Sequence, residues 1–227
     1  MSSAYGLART ASLASALLLA GCAATGDAVR RTENIADESR ASLTHFSASI
    51  ALRPALECLP QASALVILPR VVSASFVVGG AEARGALFVR DPGTGRWRGP
   101  VFLSLAAGSV GFQAGATTSE VLMIVNTPGA LRSLLKGHLR LGMDASVTVG
   151  KGGGASSAIT SDIDSYALST GLSVGIALDG SQLRLRPDLN DAWYGQAVTP
   201  DDILAGRAPA GPDGGRLVAA IEALSRR

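Results

Sequence analysis

Hydrophobic positions between Ala62 and Asn126 fall in short runs separated by glycines, prolines and small residues. Leu65–Leu68, Val71–Val78, Ala86–Val89, Val101–Ala106 and Val121–Val125 are strand-length and rich in Val, Ile, Leu and Phe. Branched and aromatic side chains suit a pleated surface, and Gly or Pro at the boundaries cuts the pattern into strands. None of these runs reaches the ~18 apolar residues of a membrane-spanning helix. Gly79, Gly80, Gly85, Gly108, Gly111 and Gly115 punctuate them, and glycine in a strand marks a bulge, a bend or a close backbone approach. The pattern predicts an α+β fold: a curled antiparallel β-sheet, barrel- or sandwich-like, with an N-terminal helix and short helices packed on it.

The flanking segments supply those helices. Asp27–Leu56 reads as helical with an interruption near Pro54, and Ala36, Ser39, Leu43, Phe46 and Ile50 form one stripe. Such a stripe either lies on lipid or packs on the sheet. The opposite face mixes Arg30, Arg31 and Arg40 with Glu33, Asp37 and Glu38, which favours packing, because lipid-surface helices carry mainly Lys and Arg. Pro69 separates the first two runs and suits a strand end or an edge. Asp91–Gly95 (DPGTG) is a turn that predicts a hairpin between Gly85–Arg90 and Arg96–Leu103. Thr127, Pro128 and Gly137 bracket a short helix with a Leu131, Leu134, Leu135 face.

Beyond it, Leu139–Gly150 alternates like a strand, and Lys151–Ser157 reads as a mobile Gly/Ser-rich stretch. Val174, Ile176 and Leu178, a turn at Asp179-Gly180, then Leu183 and Leu185 predict a second hairpin within Tyr166–Leu185. Asn190–Gly195 reads as an aromatic corner, with Trp193 and Tyr194 as core aromatics. Thr199, Pro200 and Asp202 open another short helix, and Leu217, Val218, Ile221 and Leu224 make a final amphipathic one.

The first 21 residues stand outside this pattern. Arg9 is their only charge, Ala11–Ala20 is a short apolar stretch, and Leu19-Ala20-Gly21-Cys22 follows. That is the pattern of a signal peptide ending in a lipobox. The expectation is a lipoprotein acylated on Cys22, palmitate included, with a tether over 22–26. Ala23 carries no inner-membrane retention signal by the usual sorting rule. The expected address is therefore a bacterial cell envelope, at the outer membrane and facing the periplasm. The domain is expected over 27–206, with a linker and helix over 207–227.

Charge narrows the partners. Removing Arg9 with the leader turns 20 basic residues into 19, against 18 acidic ones, a balance that argues against nucleic acid. Cys58 remains as a single thiol, read either as reactive or as a small buried hydrophobe. His45 and His138 lie in different elements with no Cys or carboxylate at ligand spacing, and no G-x-S-x-G elbow occurs. Gly150–Gly154 lacks the spacer and the Ser or Thr of a nucleotide loop. Asp162 and Asp164 read as turn residues in preference to calcium ligands, since an oxygen cage takes 6–8 donors. No enzyme, cofactor, metal or nucleotide role is expected.

Arg70, Arg84, Arg90, Arg96 and Arg98 face only Glu82 and Asp91 over the same span, and Trp97 sits between two of them. Arginine forks match phosphate oxygens and Trp suits a membrane interface. Arg84, Arg96, Trp97 and Arg98 are therefore candidates for a lipid-headgroup contact. The competing reading is a solvated strand face.

Taken in order, Ala64–Pro69, Phe76 with Gly79-Gly80 and Gly85, Gly108–Gly115 with Gln113-Ala114-Gly115, and Leu122–Asn126 resemble the SYLF domain. Gly171–Leu178, Asp191–Gly195 and Val198–Gly206 continue the likeness, which covers roughly 56–206. Ala74-Ser75-Phe76 departs from the family's Ala-Gly-Phe. The resemblance implies a non-catalytic lipid-binding module. Eukaryotic relatives bind phosphoinositides, a yeast relative also binds actin filaments, and bacterial relatives are often secreted lipoproteins. The SH3 domain of some eukaryotic relatives has no counterpart in these residues, so their actin-patch partners are not carried over. The expected partner is membrane phospholipid. An envelope protein bound through the same sheet is the alternative.

Overall fold

The structure is a computed structural model that describes residues 4–150, 161–170, 178, 180–213 and 215–226. Its side chains are described from Gly26 onward, except 51, 54–55, 74–79, 109–116, 149–150 and 169–170. The GKGGG stretch beyond Gly150, and Val174, Ile176 and Asp179, lie outside these residues.

The five apolar runs of the first half are joined into two long strands, β1 (Ala64–Arg90) and β2 (Trp97–Val125). They pair antiparallel from Ala64↔Val125 to Arg90↔Trp97. The sequence breaks became irregularities within strands. Register shifts lie between Leu68 and Val71, Ser75 and Val77, and Leu87 and Val89. Pro69 occupies the first, a bulge being where a strand tolerates a missing N–H.

Bulges add bend and twist, and here the ribbon curls until the two ends of β1 meet. The Arg90 N–H donates to the Ser63 carbonyl at 3.0 Å. A Cβ on Gly85 would run into the Ile67 carbonyl oxygen and come within 2.8 Å of Leu68 Cδ2. Only glycine permits that approach. Ala64–Leu68 and Val121–Val125 are buried throughout, as expected of strands covered on both faces.

The free edge of β2 carries two short strands. β6 (Gln182–Leu185) pairs with Leu103–Ala106, and β5 (Ile163–Thr170) pairs with Thr118–Val125. β3 (His138–Arg140) lies outside β6. β4 (Val147–Gly150) lies outside β5 and runs parallel to it, so the sheet is mixed where an antiparallel one was expected. Leu139–Gly150 is thus two strands on opposite flanks. Between them, the Asp144 carboxylate accepts the Arg140 N–H at 2.7 Å and tightens a turn. The first arm of the second expected hairpin lies outside the described residues apart from Leu178. A strand has two edges, and β6 has both filled, Leu183 facing Leu105 on one side and Leu139 on the other.

Helix α1 runs from Ala4 to Ala48. The backbone of residues 22–26, expected as a tether, is helical. Thr32, Ile35, Ala36, Ser39, Leu43 and Phe46 are buried, against β1, α4 (Pro187–Tyr194) and α6 (Arg216–Ser225). The stripe therefore packs on the protein. Ile50 does not belong to it: the helix ends before Ser49, the phase is lost, and Ile50 is 77% exposed. The interruption precedes Pro54, the second residue of α2 (Arg53–Glu57). Proline is tolerated there because first-turn N–H groups have no intrahelical acceptor.

α3 (Pro128–Leu135) follows its sequence signals, with Thr127 Oγ1 accepting the Ala130 N–H. α5 (Pro200–Leu204) opens with a complete capping box between Thr199 and Asp202. The aromatic corner is instead the end of α4, which begins at Pro187 and stops at Gly195 in the left-handed region. Trp193 is 3% exposed and meets Phe102 edge-to-face at 5.5 Å, and the Tyr194 hydroxyl donates to the Pro100 carbonyl.

Candidate functional site

The five arginines of the hairpin do not share one face. Arg96 stands exposed beside the Asp91–Gly95 turn, where Asp91 Oδ1 accepts the N–H groups of Gly93 and Thr94. Those bonds, that from Thr94 first, hold the Asp91 carboxyl below its usual range. Next to Arg96, α6 comes down on the start of β2. The Trp97 indole donates to Ser225 Oγ at 3.1 Å, which ties the helix to the hairpin. A recess of about 360 Å³ opens between them, lined by Arg90, Arg96, Arg226, Trp97 and Glu222 among others. Three arginines line it. Among the described residues the sole carboxylate lining it is Glu222, in a long 3.7 Å contact with Arg226.

The residues of the expected headgroup set fall at different places. Trp97 is 4% exposed and supports α6 from inside, so it cannot dip into lipid. Arg98 turns away toward the segment after α5 and packs on Gly206, where a Cβ would strike its guanidinium. Gly206 also has φ +71°, so glycine is required twice over. Arg84 lies at a second place, in a groove between α1 and β1 of about 420 Å³ that also includes Arg31, Arg70, Glu38 and Glu82. Arg84 is paired with Glu82 at 3.2 Å. Arg96 thus lines one recess with Arg90 and Arg226, and Arg84 lines another. Arg226 was missed because it lies in the C-terminal helix, and only tertiary packing brings that helix to the hairpin.

The remaining candidates are absorbed by the fold. Asp162 accepts the Ser146 N–H and the Ser146 and Thr127 hydroxyls, and these bonds, the Ser146 N–H first, depress its pKa. Asp164 takes Asn126 Nδ2 at 2.8 Å and the Ser161 hydroxyl at 2.6 Å. Both carboxylates fasten the exit of β2 to the start of β5. His45 meets Glu120 at 2.9 Å. Burial, followed by the charges of Asp164 and Glu57, pushes the Cys58 thiol up. That is opposite to what a reactive thiolate needs. Burial, with Asp164 and Cys58 next, pushes Tyr166 up to about 12.

A curled sheet closed by helices, with recesses lined by fixed charges, is the frame of a binding domain. The chain belongs to the Ysc84 family, described as Las17-binding protein actin regulators, whose model matches residues 106–224. This is the family of the SYLF resemblance. SH3 domain-containing YSC84-like protein 1 of Xenopus laevis is 34% identical over 153 residues, 65% of this chain and 44% of that protein. Its Homo sapiens counterpart is 31% identical over 157 residues, 66% and 45% of the two chains. Protein YSC84 of Saccharomyces cerevisiae is 30% identical over 172 residues, 72% and 36%. The chain thus spans less than half the length of these curated relatives. No solved structure matches it.

Proposed function

We propose that this chain is a membrane-anchored, non-catalytic lipoprotein domain that binds phospholipid through anionic headgroups. The observation that carries the reading is that Arg90, Arg96 and Arg226 line one recess with a single carboxylate among the described residues. Guanidinium forks bond phosphate oxygens in pairs, and a partly enclosed site screens those charges less than open solvent does. The test is flotation of the chain, carrying Cys22→Ser to remove the anchor, with anionic and neutral vesicles. Salt-sensitive binding to the anionic vesicles, lost in Arg90→Glu/Arg96→Glu, supports the reading. Binding that ignores both salt and these substitutions refutes it.

The anchor is the acylated Cys22 thiol, supported by Leu19-Ala20-Gly21-Cys22. A multiply acylated terminus holds a protein on a bilayer where one chain holds it only marginally. The proposed address is the outer membrane, facing the periplasm. Palmitate labelling that persists in Cys22→Ser, or recovery of the wild-type protein free in the periplasm, would overturn it.

A second reading, an adaptor that binds another envelope protein through the same sheet, is supported by the Las17-binding description of the family. It predicts weak vesicle binding together with a partner captured from envelope extract and released by Arg96→Glu.

A further inference from the structure

The groove under α1 has a different charge pattern from the hairpin recess. It continues along the helix into a neighbouring recess of about 380 Å³ lined by His45, Glu120, Pro69 and Leu168 among others. Glu38 of α1 and Arg70 of β1 line both spaces and so stand where they join. Around them most polar groups already have partners. Arg31 is paired with Asp27 and Arg84 with Glu82 at 3.2 Å, and His45 Nδ1 lies 2.9 Å from Glu120. Among the described residues Arg70 and Glu38 have no hydrogen-bond or ion-pair partner, and they do not pair with each other. Both are exposed on rigid elements, Glu38 within a packed helix and Arg70 directly after the Pro69 bulge.

Two opposite charges that line one groove without pairing present a dipole to the solvent. A ligand with a cation and an anion a few bonds apart satisfies both ends at once. A purely anionic ligand gains at Arg70 and is repelled at Glu38. The cationic end is a guanidinium fork, which favours phosphate, and the anionic end is a carboxylate, which accepts ammonium N–H donors. Val72, 43% exposed, lies on the same wall, with Pro69 and Leu168 beyond it. That apolar strip suits the glycerol and first methylenes attached to a headgroup.

We propose that Arg70 and Glu38 form a subsite for a zwitterionic aminophosphate headgroup of the phosphoethanolamine type. The phosphate lies on Arg70 and the ammonium on Glu38. This adds a second site to the proposed function and depends on none of the residues of the first.

The test is a two-dimensional NMR titration of the full chain with soluble glycerophosphoethanolamine, with glycerophosphate and glycine as comparison ligands. Glycerophosphoethanolamine is expected to shift signals from the α1–β1 groove and to bind at least tenfold more tightly than either comparison ligand. Glu38→Gln should remove that preference, weakening glycerophosphoethanolamine and tightening glycerophosphate as the carboxylate's repulsion goes, and Arg70→Gln should abolish both responses in the groove. Arg96→Glu should leave the groove titration intact even where it ends anionic-vesicle binding, which separates the two sites. Equal affinity for glycerophosphoethanolamine and glycerophosphate, shifts confined to the Arg90/Arg96/Arg226 recess, or a preference that survives Glu38→Gln would each overturn the proposal.

Discussion

The hairpin recess and the α1 groove are both built on the β1–β2 ribbon and both are lined with arginine, yet they present opposite electrostatic problems to a ligand. In the recess, Arg90, Arg96 and Arg226 stand against Glu222 alone among the described residues. In the groove, Arg31 and Arg84 are already matched by Asp27 and Glu82, and Arg70 is left facing Glu38. Counting arginines along the chain cannot separate the two cases. What a guanidinium can bind depends on the carboxylates that the fold brings beside it.

Both sites hang on the closure of the ribbon, so the largest effect should come from breaking it. Gly85→Val would drive a branched side chain into Ile67 and Leu68. A loss of about 3 kcal/mol in urea unfolding is expected, with both binding activities reduced together. A neutral result would mean that the ends of β1 are not in contact. Arg90→Glu/Arg96→Glu comes next and should split the pair of sites. Each arginine near an anionic surface is worth about 1 kcal/mol. Reversing two should cut anionic-vesicle affinity more than tenfold, with the groove's response to glycerophosphoethanolamine unchanged.

Trp97→Phe is a finer probe. It keeps an aromatic ring but removes the bond to Ser225, worth about 1 kcal/mol. With α6 less firmly tied, Arg226 should contribute less, and a few-fold loss of anionic-vesicle binding is expected without change in the groove. The smallest effect should be at Asp162, which lines neither recess. Its folded pKa lies below the unfolded value of about 3.9. Its bonds therefore stabilise the fold above that pH, and the contribution is lost as pH falls through the folded pKa. Asp162→Asn should flatten the acid limb of the stability curve. An unchanged acid-unfolding profile would show that the bonds from Ser146 and Thr127 contribute nothing there.

Helix ends were the most legible parts of the fold, because a cap is local chemistry. Thr127 and Thr199 each bond a backbone N–H three residues on, as Thr-Pro at a helix start implies. The same proline signal was present at Pro187 and was overlooked in favour of the aromatics after it. Strand extent was less legible. The glycines and Pro69 look like boundaries in one dimension, but the long ribbon absorbs them as bulges and close approaches. At the candidate site, Arg96 was readable as an exposed cation next to a turn. Trp97 looked like an interfacial aromatic only because Ser225, its partner on the helix that covers it, is 128 residues away in sequence.

What the chain's own order of residues determined was the set of local pieces: the curled β ribbon, the buried stripe of α1, the capped short helices and the family likeness. These depend on side-chain periodicity and on hydrogen bonds spanning a few residues. Tertiary structure alone decided that β1 closes on itself, that β6 has no free edge, and that Arg226 joins Arg90 and Arg96 while Arg84 and Arg98 go elsewhere. Such choices are set by packing and by charges meeting across long separations in the chain, and no local pattern encodes them.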